Sequence, residues 1–376
     1  MAARLWMERC GVRGMAASLS MASWVGSIIH SEGRGGRRVN PGPPPRRLLT
    51  VLLPVLAGCS GSHSILDPAG PAARDVAWLW WCMLIGFGLV FVAVVALWLA
   101  AFRPREQPRR SPEAERRLGL RWILGGGILL PGVSILVLLA FGVPTGQRLL
   151  PLPLPGGETP RVIEVIGHQW WWEVRYPDEA GEVVTANHLV MPAGEPVDFH
   201  VTGADVIHAF WVPRLGGKID MIPGRLNRIR LEADTPGVFG AQCAEYCGVQ
   251  HAHMQLHLEA VPPAAFEAWL AARRDAEPES LDSEDAHAPA RDTFAEQCAS
   301  CHRVAGLSDG GIGPDLSDLG ARATLGAGTL AMEEGAITRW LAEHQRLKPG
   351  NRMPAHDHLA PADLEALGAW LETLSP

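Results

Sequence analysis

Two charge-free apolar runs separated by a cluster of arginines constrain this chain more than any other feature. Residues 76–102, V-A-W-L-W-W-C-M-L-I through A-L-W-L-A-A-F, contain no Asp, Glu, Lys or Arg, and neither does the run Trp122–Val143. A helix needs about 20 such residues to cross a hydrocarbon core of about 30 Å, so both runs are long enough. Between them Arg103, Arg105, Arg109, Arg110, Arg116, Arg117 and Arg121 crowd one short loop, which the positive-inside rule places in the cytoplasm. Both ends of the hairpin then lie outside, and everything beyond residue 143 is extracytoplasmic. Trp78, Trp80, Trp81 and Trp98 suit interfacial anchoring, while Pro131, Gly132 and Gly125–Gly127 predict a kink or close helix packing in the second span.

The region before the hairpin has the pattern of a leader. Residues 1–45 include R-G-G-R-R-V-N-P-G-P-P-P and show no sustained apolar periodicity, so they offer nothing to bury. Arg46 and Arg47 then precede L-L-T-V-L-L-P-V-L and L-A-G-C, ending at Cys59. This resembles a bacterial lipoprotein signal, which implies that Cys59 is lipidated and becomes the first mature residue. Its distance from Met1 suggests a misassigned start codon; the alternative is an uncleaved, coincidental L-A-G-C. The topology derived from the arginine loop agrees with such a signal independently.

Charge divides the chain. Residues 144–376 hold 17 Lys and Arg against 33 Asp and Glu, a net charge of −16. Such a surface steers a basic partner at long range and argues against nucleic acid. Four of the seven cysteines fall in two metal or haem motifs and Cys59 in the leader; Cys10 and Cys82 are unassigned, and no even spacing suggests a disulfide scaffold.

The first motif is C-A-E-Y-C-G-V-Q-H-A-H-M, Cys243–Met254. Thiolate and thioether are soft ligands and imidazole is borderline, so the set prefers copper or zinc to hard cations. Two sulfurs spaced C-x-x-x-C allow bridging of a metal pair. A further imidazole, His208, lies upstream in D-V-I-H-A-F-W-V-P on a run that reads as a strand. The alternatives are a disulfide, or a zinc site of Cys and His, although structural zinc seldom recruits Met.

With these residues in view, the sequence resembles subunit II of the haem-copper cytochrome c oxidases, whose binuclear CuA copper centre sits in a cupredoxin Greek-key barrel. The resemblance implies that Cys243 and Cys247 bridge two coppers, that His208 and His251 are terminal ligands, that Met254 is a weak axial ligand and that Glu245 contributes its backbone carbonyl. It also implies a magnesium site, shared with subunit I, at the Glu245 side chain. G-H-Q-W-W-W resembles the family's aromatic segment over the copper, making Trp170 the residue through which electrons arrive; for some of Trp170–Trp172 the plainer role is core packing. Where the family often has tyrosine, this chain has Trp171. The run L-G-G-K-I-D-M-I-P-G-R-L-N, with Lys218, Asp220 and Arg225, matches the loop that faces subunit I. His253 and His257 match no ligand position.

The strand pattern agrees. R-V-I-E-V-I-G-H-Q-W-W-W-E-V-R-Y alternates, and short strands are expected at Val183–Val190, Val197–Val201, Ile229–Glu232 and Gln255–Glu259, divided by P-A-G-E, P-G-R-L-N and T-P-G-V. Residues 272–291 read as a solvated acidic linker. After it, F-A-E-Q-C-A-S-C-H ends in C-x-x-C-H, the c-type haem attachment signal, with Cys298 and Cys301 adding to the porphyrin and His302 as proximal iron ligand; a redox C-x-x-C beside a chance histidine is the alternative. I-G-P-D-L, a helix near Ile337–His344, K-P-G-N-R-M-P and a helix from about Pro361 to Leu374 resemble a class I cytochrome c. That resemblance makes Met353 the sixth ligand, with His356, His358 and Met332 as competitors.

The expected architecture is therefore multidomain: a leader (1–58), a short extracytoplasmic segment (59–75), a transmembrane helical hairpin (76–143), an all-β cupredoxin domain (144–271), the linker (272–291) and an all-α cytochrome c domain (292–376). The resemblance implies a subunit of a proton-pumping cytochrome c oxidase in the bacterial inner membrane. Electrons would come from a soluble or membrane cytochrome c, pass through haem c and CuA, and leave to subunit I; subunit III and membrane lipid are further expected partners. A CuA subunit of a nitric oxide reductase and a stand-alone membrane carrier are the other readings. Nitrous oxide reductases need a large propeller for which there is no room, and quinol oxidases lack the copper ligands.

Overall fold

A computed structural model describes residues 61–103, 110–154, 156–157, 159–179, 181–274 and 286–375. The leader, with Cys59, lies outside them, as do residues 104–109 of the arginine loop and 275–285 of the linker.

The two apolar runs form helices long and apolar enough to cross a membrane, α1 (Pro71–Ala101) and a second spanning Pro112–Arg148. The second is an α-helix, α2 (Pro112–Trp122), capped by the Ser111 hydroxyl, then seven residues of π-helix (Ile123–Leu129), then α3 (Leu130–Arg148). The expected irregularity falls at Gly125–Gly127 and just before Pro131, which has no amide hydrogen for an i→i−4 bond. The outer ends of the hairpin meet the β-domain: Arg74 pairs with Asp234, and the Arg230 amide donates to Leu149 O.

Ten strands follow: β1 Arg161–His168, β2 Trp171–Tyr176, β3 Val183–Ala186, β4 His188–Pro192, β5 Val197–Gly203, β6 His208–Trp211, β7 Ile219–Met221, β8 Asn227–Leu231, β9 Gly237–Cys243 and β10 Gln255–Val261. They make two five-stranded sheets, ordered β3-β2-β1-β5-β8 and β4-β10-β9-β6-β7, a cupredoxin-like sandwich in which β1 with β5 and β4 with β10 are the parallel pairs. Alternation along β1 and β10 turns Ile163, Val165, Leu256 and Leu258 inward onto Trp172, Phe199, Phe210 and Met191, all buried. A side chain such as Phe199 contributes about 1.5–3 kcal/mol by leaving water.

The single strand expected over Val183–Val190 is two. Asn187 takes a left-handed conformation (φ 59°), which Asn tolerates better than most residues, and there the chain steps from one sheet to the other. Its side-chain oxygen accepts from the Trp172 amide and its own amide donates to Trp172 O, so the break loses no backbone pairing.

Helix α4 (Pro263–Arg274) packs Phe266 and Leu270 on the sandwich, so the first residues of the expected linker are helical. The C-terminal domain has α5 (Ala288–Gln297), α6 (Ala336–Leu347) and α7 (Pro361–Thr373) around Phe294, Ile337, Leu341, Leu367 and Trp370. Helices α6 and α7 cross closely at Gly368, where a Cβ would stand 2.1 Å from Thr338 Oγ1.

Candidate metal centre

The loop between β9 and β10 is closed at its base, since the Cys243 amide donates to Met254 O (3.0 Å), and the neighbouring Ala244 amide ties it to Ala209 O of β6. This register brings His208, the first residue of β6, against Cys243. Five soft or borderline donors converge. Cys243 Sγ lies 3.7 Å from Cys247 Sγ and 3.9 Å from His208 Nδ1; Cys247 Sγ lies 3.6 Å from His251 Nδ1 and 3.8 Å from Met254 Sδ. The Glu245 carbonyl sits 3.2 Å from Cys243 Sγ. The sulfurs are far beyond the roughly 2.05 Å of a disulfide. Two thiolates facing each other, each with its own imidazole, fit a bridged copper pair, and the thioether argues against a structural zinc.

Electrostatics favour one thiolate of the pair. The hydrogen bond between the two sulfurs, with His208 and nearby amides, draws Cys243 down to about 3 against the effect of burial; the same bond pushes Cys247 up. Burial opposes charge on His208, but its bonds with Cys243 and Asp205 outweigh that and raise it.

Asp205 was not visible as a functional residue in the sequence. Its carboxylate accepts from His208 Nε2 (2.9 Å), which fixes the tautomer and leaves Nδ1 for a metal, and also from the amides of Gln169 (2.8 Å) and Val206 (2.7 Å). The signal was D-x-x-H. Replacing Asp205 by Asn should weaken copper retention about 10–100-fold, the usual cost of losing such an orienting group; unchanged retention under chelator challenge would refute this role.

Trp170 is buried over the loop, its indole N–H donating to Cys247 O (3.0 Å) beside the Gln169 amide (2.8 Å). Trp171 instead stacks on His168 and Trp172 enters the core. His253 bonds Gln250 and stays out of the donor cluster. The Glu245 carboxylate points outward to Lys218 (3.6 Å), which also meets Asp220 (3.3 Å).

In the helical domain Cys298 and Cys301 close a turn in which the His302 amide donates to Cys298 O. His302 Nδ1–H donates to Pro314 O (2.8 Å), leaving Nε2 free, and burial lowers its pKa. Gly313 is required beneath that ring, because a Cβ there would stand 2.5 Å from Cε1. This is the tautomer an axial iron ligand needs. Met353 is half-buried against the domain core. Of its competitors, His358 is exposed and bonds Gln297, whereas His356 is buried with Nε2 unpartnered.

The two domains meet directly beside the copper loop. Lys348, in the loop that carries Met353, is buried, and its Nζ donates to Trp170 O, His253 O and Gly326 O, each at 2.8 Å. Arg352 donates to Gln169 Oε1 (2.7 Å), Gln250 to Pro349 O (2.6 Å) and the Gln255 amide to Ala327 O (3.0 Å). Further along, the buried Asp318 accepts from Thr185 of β3 (2.8 Å), Arg273 of α4 (3.1 Å) and Arg322 (2.9 Å).

A membrane-anchored sandwich with a thiolate–imidazole metal loop, joined to a small helical domain with a haem-attachment motif, defines a class of fused electron-transfer protein. Residues 181–261 match the family model "Cytochrome C oxidase subunit II, periplasmic domain", and residues 288–375 match "Cytochrome c". Cytochrome c oxidase subunit 2 of Alkalihalophilus pseudofirmus is 35% identical over 345 residues, covering 87% of this chain and 95% of the relative. That of Bacillus subtilis is 27% identical over 356 residues, covering 87% and 96%. A crystal structure of the periplasmic domain of cytochrome oxidase subunit II from Bradyrhizobium japonicum is 35% identical, covering 31% of this chain and 95% of that one, with a TM-score of 0.30. The chain belongs to the cytochrome c oxidase subunit II family, in a form that carries a cytochrome c domain.

Proposed function

We propose that this chain passes single electrons from an external cytochrome c through a covalent haem to a copper pair and on to subunit I, where oxygen is reduced with proton pumping. The observation that carries this reading is the continuous contact from the Met353 loop through Lys348 to Trp170 O, and from the Trp170 indole to Cys247 O. Bound haem and copper supply the two one-electron couples.

Cys298 and Cys301 would tether the porphyrin, and His302 and Met353 would hold its iron; methionine as a ligand raises the potential relative to a second histidine. Cys243 and Cys247 would hold the copper pair, with His208, His251, Met254 and the Glu245 carbonyl completing the set. Asp205 keeps His208 in the ligating tautomer. Trp170 lies between the Cys247 backbone and Lys348, and its 9% exposure beneath the Lys348 loop favours the helical domain as the face for an outside donor. The acidic surface favours a basic donor.

Exposed Tyr246 and Leu226 beside Lys218 and Asp220 form an apolar and charged face suited to subunit I, and a magnesium ion at Glu245 would draw its remaining ligands from there. Lipidated Cys59, the inner-membrane location, contact with subunit III and the domain limits of the sequence reading belong to the same proposal.

The test is metal and optical analysis of the purified chain. Two coppers and one haem iron are expected, with a sulfur-to-iron band in the oxidised protein that Met353→Ala abolishes and His356→Ala retains. One zinc in place of copper overturns the copper reading. A band that survives Met353→Ala, or its loss in His356→Ala alone, overturns the ligand assignment.

A further inference from the structure

A second group of ligand atoms converges on the outer face of the second sheet, away from the copper loop. Strands β4 and β10 run parallel with His188 opposite His257, and Glu259 lies two residues further along β10 on the same face as His257. Leu256, Leu258 and Ala260 take the inward face. One ligating atom from each of His188, His257 and Glu259 falls within 4.8 Å of the others, His188 Nε2 being 3.7 Å from Glu259 Oε2.

His188 makes this more than a surface cluster. It is 7% exposed, and neither of its ring nitrogens has a hydrogen-bond partner. A buried polar group left unpaired carries a desolvation cost, so such groups are few in native proteins. Glu259 is too far to relieve it, and the His257 ring meets it edge-on at 5.4 Å between centroids.

We propose that His188, His257 and Glu259 form a second metal site that binds one Zn²⁺ ion. Two imidazoles and a carboxylate, with no sulfur, are a donor set for zinc, unlike the thiolate pair that selects copper in the neighbouring loop. Burial brings His188 down to about 4 and also lowers His257, so both rings are neutral at pH 7, the form that binds a cation. His257 and Glu259 are partly exposed, which gives the ion a path from solvent and leaves water to complete its coordination. The ion would pin β4 to β10 beside the Asp318 cluster, whose charges reach His188.

The experiment uses the full chain in detergent with copper and haem in place. Labile metal is removed with a mild chelator, Zn²⁺ is added, and the desalted protein is assayed by mass spectrometry for zinc, copper and iron. One zinc per chain above an unchanged copper and iron content is expected. His257→Ala and Glu259→Gln, at partly exposed positions outside the copper loop, should each weaken zinc binding at least about tenfold while leaving the haem and copper spectra intact. Zinc should also raise the unfolding temperature of the parent chain but not of the variants. No retained zinc, equal zinc in parent and variants, or zinc gained only as copper is lost would each overturn the site.

Discussion

Replacing Lys348 by Met should slow electron transfer from the haem domain to the copper loop about tenfold or more, the effect of about 1.4 kcal/mol on an equilibrium that holds the two together. Lys348 Nζ spends all three of its hydrogens on backbone carbonyls, two in the sandwich and one at Gly326. Burial draws its pKa down to about 7, while the three carbonyls hold the protonated form, because only an ammonium has three hydrogens to give. Hydrogen bonds to a charged group are worth about 1.5–3 kcal/mol each, and the cost of burying the ammonium cancels part of the sum. Methionine fills similar space but leaves Trp170 O and His253 O without the ammonium donor and Gly326 O with the Thr329 hydroxyl alone. Flash reduction of the haem, followed by copper absorbance, reads the internal rate directly. Static haem and copper spectra should not change, and Lys348→Gln, which keeps two donors, should lose less. An internal rate equal to that of the parent chain would show that the loop is held without Lys348.

The parts of both candidate centres that stood out in the sequence are those whose residues are local. C-x-x-x-C with the following His and Met lies within one loop, and C-x-x-C-H within one turn, so spacing narrows the chemistry to a soft-metal site and a haem attachment signal, and the family resemblance implies the rest of each ligand set. His208 needed the family resemblance, since only the β6–β9 pairing brings it to Cys243. Asp205 carried the weaker signal D-x-x-H, which occurs by chance in many chains. The junction was not legible. Thr185, Arg273 and Asp318 meet across three elements that no local pattern connects, and Lys348 reads in sequence as an ordinary exposed lysine in K-P-G-N-R-M-P. The break at Asn187 was missed for a similar reason: the apolar run continues through it, and only the paired Trp172 shows why the backbone turns there. Patterns of hydrophobicity give elements, whereas contacts between domains depend on where those elements come to rest.

The largest loss of stability is expected from Asp318→Asn. The carboxylate is buried between two guanidinium groups, Arg322 of its own domain and Arg273, which also stacks on Trp269 at 4.0 Å. Thr185 is a third donor, from the sandwich, so one side chain joins the two domains. Asparagine keeps the shape but removes the negative charge, leaving two buried cations uncompensated. Breaking a buried pair in this way costs about 3–5 kcal/mol. The pH dependence has a definite sign. Burial alone would raise the Asp318 carboxyl, but Arg322 and Arg273 prevail and hold it below its ordinary value. Its contribution is therefore complete above about pH 4, the unfolded carboxyl value, and is lost as the pH falls further through the folded one. Thermal unfolding followed by haem absorbance should show a parent chain whose domain contact is steady from pH 5 to 8 and weakens below about 4. Asp318→Asn should be less stable at neutral pH and lack that acid step. Equal stability of the two proteins at pH 7 would mean that Arg273 and Arg322 are compensated from elsewhere, and the junction would then depend on the Lys348 contacts together with those of Arg352, Gln250 and Gln255.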